Sequence, residues 1–202
     1  GRGARANTES TFDDASLKFL VPLAARQSLS VRANLHREQS QVTYSGLTEA
    51  EYAADPRANP FAADEMALDR IGAALTHRLG AGSARALTTT LYGYRVTRDW
   101  WRQSSNSAQR PNDRSDPQCG GMANLSTSCG TEGRLRAYNV VGIEPRLAWQ
   151  RVGAHAVLQA ELGARAHFET QERRQVNGAF PRSRTEGPTS DVNSGLVEDN
   201  RR

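Results

Sequence analysis

Lysine is almost missing from this chain. Of its 26 cationic residues only Lys18 is not an arginine, and the formal net charge is +4. Arginine forks match carboxylates and phosphates, so anionic partners fit this composition, although GC-rich coding produces the same bias. The arginines are dispersed along the chain, which speaks against a nucleic-acid partner. No stretch reaches the ~18 apolar residues of a membrane-spanning helix, which excludes a helical membrane protein. Apolar residues make up 37% of the chain, below the globular average, yet they recur in organised segments, which excludes disorder. At 202 residues the chain is long enough for one or two domains.

Cysteine is scarce too. Cys119 and Cys129 bracket the polar stretch CGGMANLSTSC, with no third cysteine and no histidine beside them, so a zinc site is unsupported. Two thiols in such a loop read as a local disulfide and hence an oxidising compartment, with unlinked surface thiols as the alternative. A closure this short contributes about 3 kcal/mol in the chain-entropy model. The four histidines, His36, His77, His155 and His167, have no metal-ligand spacing, so no protein-bound metal is expected. No nucleophile elbow, phosphate loop or Cys-His arrangement is present, so no catalytic residue is named and no enzyme or cofactor is expected. The N-terminal GRGARANTES has no hydrophobic core and does not read as a signal peptide.

What the chain does contain is alternation. Leu29, Val31, Ala33 and Leu35 alternate with Ser28, Ser30, Arg32, Asn34 and His36, a period of two that predicts a strand. Six such runs are expected: Ser16–Leu23, Ser28–Thr43, Ala67–Leu79, Leu87–Arg102, Arg134–Arg151 and Ala156–Glu172, with loop after Asn177. Ala67–Leu79 and Ala156–Ala166 also fit a helical period, but Gly72 and Gly163 sit badly in helices and the neighbouring runs alternate cleanly. In the first long connection, Thr48 and Glu51 form a capping box for one helical turn that Asp55-Pro56 ends.

Short and long connections alternate, which predicts three hairpins with tight turns at one end and long loops at the other. That segregation, with strands long enough to cross a hydrocarbon layer, points to an all-β, antiparallel up-and-down transmembrane barrel segment. Ala156, Leu158, Ala160, Leu162, Ala164, Ala166 and Phe168 then face lipid, and Gln159, Glu161, Arg165, His167 and Glu169 face the lumen. Arg146 with Glu144, and Arg165 with Glu161, are expected as lumen-wall ion pairs. Trp149 near a tight turn, with Tyr94, Trp100, Trp101 and Tyr138 toward the long loops, suggests two interfacial aromatic girdles. A soluble sandwich reverses the faces and is not separated from the barrel by alternation alone.

The stretches TYSGLTEAEYAADPRANPF, YRVTRDWWRQ, CGTEGRLRAYNVVGIEPRLAW and VEDNRR resemble TonB-dependent outer-membrane receptors, in particular their ferric-citrate-type siderophore branch. The resemblance runs from about Asp14 to Arg202. It implies a plugged barrel of about 22 strands in the outer membrane of a Gram-negative bacterium. Such a receptor is not an enzyme, and iron reaches it only inside a ferric chelate. Its expected partners are the ferric siderophore, the TonB complex acting through a plug domain, and the surrounding lipid and lipopolysaccharide. No plug, TonB-box-like segment or final aromatic-ended strand is recognisable, so residues 1–202 are expected to be a partial barrel domain without plug or C-terminal strands. Ligands in this family meet the loops and upper lumen walls, which makes Arg57, Arg95, Arg98, Arg102, Arg134 and Arg136 the candidate binding residues. Arg98 and Arg102 share a face with Tyr92, Tyr94 and Trp100, whereas Arg95 shares one with Leu91 and Trp101. A passive porin-like or structural barrel is the alternative, and a soluble β-rich binding domain the more remote one.

Overall fold

A strand with period-two alternation must bury one face or give it to an apolar solvent, and here it does so through pairing with its chain neighbours. In the computed structural model, eight strands form one antiparallel sheet: β1 (Ser10–Ala24), β2 (Gln27–Ser40), β3 (Glu65–Ala81), β4 (Arg85–Arg102), β5 (Thr131–Val152), β6 (Val157–Gly163), β7 (Ala166–Gly178) and β8 (Leu196–Arg201). The structure describes residues 1–43, 46–47, 49–59, 61–81, 84–102, 131–178 and 196–201. Each strand pairs with the next in the chain, except that β5 pairs with both β6 and β7. One helix, α1 (Glu49–Ala54), lies in the first long connection, where the expected single turn was placed. Ala67–Leu79 and Ala156–Ala166 are extended rather than helical, because pairing supplies the hydrogen bonds that their alanine content alone does not favour.

Two departures from the expected runs have physical causes. The sixth run divides at Ala164-Arg165 because Pro145 lies opposite. The Ala164 N–H donates to the Pro145 carbonyl at 3.1 Å, but proline has no N–H to return the second bond of that pair. The register is nevertheless unbroken, with Arg146 opposite Gly163 and Ile143 opposite Ala166. The stretch after Asn177, expected to be loop throughout, contains β8, whose backbone pairs with β7 from Gln175 opposite Leu196 to Thr170 opposite Arg201. Six residues with two acids and an asparagine give too weak an alternation to be recognised without the partner strand.

The register sorts every side chain. One face carries rows such as Leu17, Ala33, Ala73, Gly93, Val141 and Phe168, each directly opposite the next across five strand pairs. On β3 this apolar face runs from Ile71 to Leu79, roughly 27 Å along the strand, and tilt brings it close to the ~25 Å band of a membrane barrel. The band is not covered: Phe19 is 56% exposed, Ile71 60% and Leu162 68%. The lipid-side set of the sixth run falls on this face at Leu158, Ala160, Leu162, Ala166 and Phe168, while Ala156 and Ala164 lie outside the strands.

The opposite face holds the polar residues. Connections at one end are tight, between Ala24 and Gln27, Ala81 and Arg85, and Val152 and Val157, and those at the other end are long. Burial is confined almost entirely to the long-connection end, where Phe61, Trp101 and Val176 are nearly inaccessible. Gly133 belongs to this packing, since a Cβ there would lie 2.7 Å from Cζ3 of Trp101 and 2.8 Å from Cγ2 of Val176.

The expected upper aromatic girdle does not form. Tyr94, Trp100 and Tyr138 are on the polar face by register, and Trp101 is buried above the apolar band. Trp149 alone of these five lies on the apolar face within the band, 38% exposed near a tight turn.

Candidate functional site

Register gathers arginines at the long-connection end of the polar face. Arg98 of β4 is opposite Arg136 of β5, which is opposite Arg173 of β7, making a ladder of three guanidinium-bearing side chains across three strands. Directly opposed like charges in a sheet are destabilising, and the register ends the row at Glu198 of β8, opposite Arg173, so Arg98 and Arg136 are the two that face only arginine or Leu68. One step further up, Trp100 is opposite Arg134, and beyond it Arg102 is opposite Glu132. Trp100 lies between two cations of its own strand: the Arg98 guanidinium carbon is 5.9 Å and that of Arg102 5.2 Å from its ring centroid. Such stacking orients the guanidinium planes and adds cation–π attraction.

Burial sharpens the electrostatics. Arg102 is 6% exposed, and Nε of Arg98 is buried without a hydrogen-bond partner among the described residues. Desolvation first, then the Arg136 charge and more weakly Arg134, lower the Arg98 pKa, while Tyr138 acts in the opposite direction. Lower on the same face, the Arg70 guanidinium carbon lies 5.1 Å from the Tyr94 ring centroid, beside His36, whose Nδ1 is 2.7 Å from Asp14 Oδ1. The arrangement offers several fork donors and aromatic faces to an anion, and the register sets one glutamate position at each margin, Glu198 opposite Arg173 and Glu132 opposite Arg102.

Four of the six sequence-predicted residues therefore come together: Arg98, Arg102, Arg134 and Arg136. Arg95 is separated from them by parity. It lies on the apolar face between Ile71 and Asn139, just above the band. Higher on that face the Asp99 carboxyl is pushed up by burial and then by Asp69. Arg57 is in the first long connection, where its Nε donates to the Ala4 carbonyl at 3.1 Å and its own carbonyl accepts from Ala6 N–H at 2.8 Å. It ties down the N-terminal segment rather than joining the cluster. Arg173 was missed by sequence reasoning; the signal for it is its i, i+2 alternation with Gln171 and Gln175, but its partner Arg136 is known only from the register. Cys119 and Cys129 lie outside the described residues.

A second charged group lies toward the tight-turn end of the polar face. Glu144 accepts from Arg146 Nε at 2.6 Å and from Arg165 Nε at 2.9 Å, and Arg146 Nη1 reaches Glu161 at 3.3 Å. The expected Arg146–Glu144 pair is present, whereas Arg165 pairs with Glu144 instead of Glu161. Unbroken register places Arg165 opposite Glu144, while Glu161 sits diagonal to Arg146. With two charges of each sign, this group is neutral and offers nothing to an external anion. Among the described residues, no group of three or more His, Cys, Asp or Glu is placed to hold a metal.

Neither the known family models nor the curated proteins contain a match to this chain. Among solved structures, the unliganded form of the ferric citrate transporter FecA is similar, with a TM-score of 0.71 at 17% identity. The similarity covers 98% of this chain and 26% of that one, so the chain spans about a quarter of the structure it matches. The fold is thus that of a segment of a large antiparallel β-barrel.

Proposed function

We propose that this chain is part of the wall of a TonB-dependent outer-membrane receptor in a Gram-negative bacterium, and that it binds a carboxylate-rich ferric chelate at Arg98, Arg102, Arg134 and Arg136, with Arg173 as a fifth contact. The carrying observation is the cross-strand arginine ladder at the long-connection end of the polar face, in which the buried Nε of Arg98 has no partner among the described residues. An anion bound there relieves the repulsion among the guanidiniums and supplies the acceptor that Arg98 lacks. The similar structure is by name a ferric citrate transporter, which makes ferric citrate the first ligand to try. Iron is cargo in this reading, carried within its chelate.

The test uses the complete reading frame that carries this chain, expressed in iron-starved cells that have no other ferric citrate receptor. Uptake of radiolabelled ferric citrate is expected to require both the receptor and the energising inner-membrane complex. Arg98→Gln and Arg136→Gln should each weaken chelate binding roughly 10- to 100-fold, the size of a lost charge-assisted hydrogen bond, whereas Arg95→Gln should not. Uptake that ignores the energising complex would favour a passive pore. Undiminished binding by the Arg98→Gln, Arg136→Gln double variant would remove the ladder from the mechanism.

A further inference from the structure

The apolar face is not smooth. Gly93 has no side chain and Ala73 opposite it only a methyl, so a groove of about 710 Å³ opens over them, walled by Leu75, Leu91, Val141 and Phe168. A Cβ at Gly93 would press on the Val140 carbonyl oxygen at 3.3 Å and touch Val141 Cγ1 at 3.6 Å, so a side chain there would both crowd the backbone and fill the groove.

Arg95 is the next residue on this face above Gly93, about 7 Å along the strand. It is exposed, and no hydrogen bond or ion pair joins it to another described residue. Asn139 stands opposite Arg95, and Thr170 opposite Asn139, with Asn139 Nδ2 3.5 Å from Thr170 Oγ1. On the other side of Arg95 is Ile71. The nearest acids in the row above are Asp69, held by Arg37 at 3.0 Å, and Glu172, which lies beyond Ala137, with Asp99 a further row up.

We propose that this is a seat for one phosphate-bearing membrane lipid, with an acyl chain in the groove over Gly93 and Ala73 and the phosphate on Arg95, Asn139 and Thr170. The inference rests on the membrane reading above. Two features of different chemistry support this occupant. The groove accepts an aliphatic chain and little else, and the cation at its upper mouth lies where an apolar band gives way to polar residues, the depth at which a lipid phosphate is found. Arginine presents paired donors that match phosphate oxygens, and the amide and hydroxyl beside it supply further donors. A free phosphate would use Arg95 but not the groove, and a neutral lipid the groove but not Arg95.

The test takes the complete barrel polypeptide, purified in detergent and stripped of lipid, and measures retention of added phosphatidylglycerol by native mass spectrometry. One tightly held equivalent is expected in the unaltered protein. Arg95→Gln should reduce its retention about tenfold, as expected for a lost charge-assisted contact. Gly93→Leu, which fills the groove, should do the same, while diacylglycerol should bind weakly and glycerol phosphate should not compete. Melting of each variant in the same detergent verifies that it folds, and Arg95→Gln keeps the question answerable if Gly93→Leu does not. Equal retention by the unaltered protein and Arg95→Gln would overturn the seat while leaving the membrane reading intact. A parent polypeptide that stays soluble without detergent would overturn both.

Discussion

At the scale of single residues, the clearest contact on the polar face is an aromatic ring laid over a glycine. Tyr92 of β4 is opposite Gly142 of β5, and its hydroxyl lies 2.9 Å from Nδ1 of His167 on the next strand over. The reach is possible because Gly142 has no side chain; a Cβ there would overlap the Tyr92 ring. The counterpart on the other side is Tyr94 opposite Gly72, where a Cβ would come within 3.0 Å of the tyrosine's Cβ. A ring over a glycine, as at Tyr92 and Gly142, covers backbone that glycine leaves open and helps pin register. Gly142→Val should therefore displace Tyr92, break its bond to His167 and destabilise the sheet by about 1–3 kcal/mol, the cost of overpacking. A lowered thermal midpoint in detergent, together with loss of protection at the His167 ring, would show it; an unchanged midpoint would mean that Tyr92 moves aside freely. The glycines were visible in the sequence, but which tyrosine covers which glycine is a fact of register.

At the scale of elements, Pro145 interrupts the ladder in mid-sheet, whereas the register shift between Pro22 and Ala24 lies at the tight turn after β1. Its carbonyl is used, but its missing N–H leaves β6 and β7 as two strands in a common register. The ion group of Glu144, Arg146 and Arg165 straddles this break and ties the two strands across it. Pro145→Val should join β6 and β7 into one strand and add a ladder bond worth about 1 kcal/mol, read as slower amide exchange at Ala164 and its neighbours. Unchanged exchange there would show that the ion group, not proline, determines the break. Sequence periodicity located all six runs because each is long and alternates strongly. It missed β8 because a six-residue strand carries too few alternations to be distinguished from a loop.

At the scale of the whole molecule, the decisive feature is which face is apolar and how little covers it. Leu91 and Thr90 are adjacent in β4, yet Leu91 faces Leu75 and Ile143 on the band, and Thr90 faces Thr76 and Glu144 on the polar side. In lipid vesicles, Leu91→Arg should cost about 2–4 kcal/mol of folding free energy, the depth-dependent penalty for a charge at the bilayer midplane. Thr90→Arg should cost far less, because water and Glu144 are close by. Equal costs, measured by urea titration of vesicle-inserted protein, would argue against a lipid-facing band and for a soluble sheet.

The sequence by itself determined the six long alternating runs, the hairpin order, the alternation of tight and long connections, and the separation of Arg95 from Arg98 and Arg102. All of these depend on spacing within a single run, where a period of two fixes which side chains share a face. It did not determine the partners of those side chains across strands. The Arg98–Arg136–Arg173 ladder, the transfer of Arg165 from Glu161 to Glu144, the placing of Tyr94, Trp100 and Tyr138 on the polar face instead of in a girdle, and the seating of Arg57 against Ala4 are all decided by register or by loop packing. Register is set by many weak pairings acting together over the whole sheet, so only the tertiary structure could reveal it.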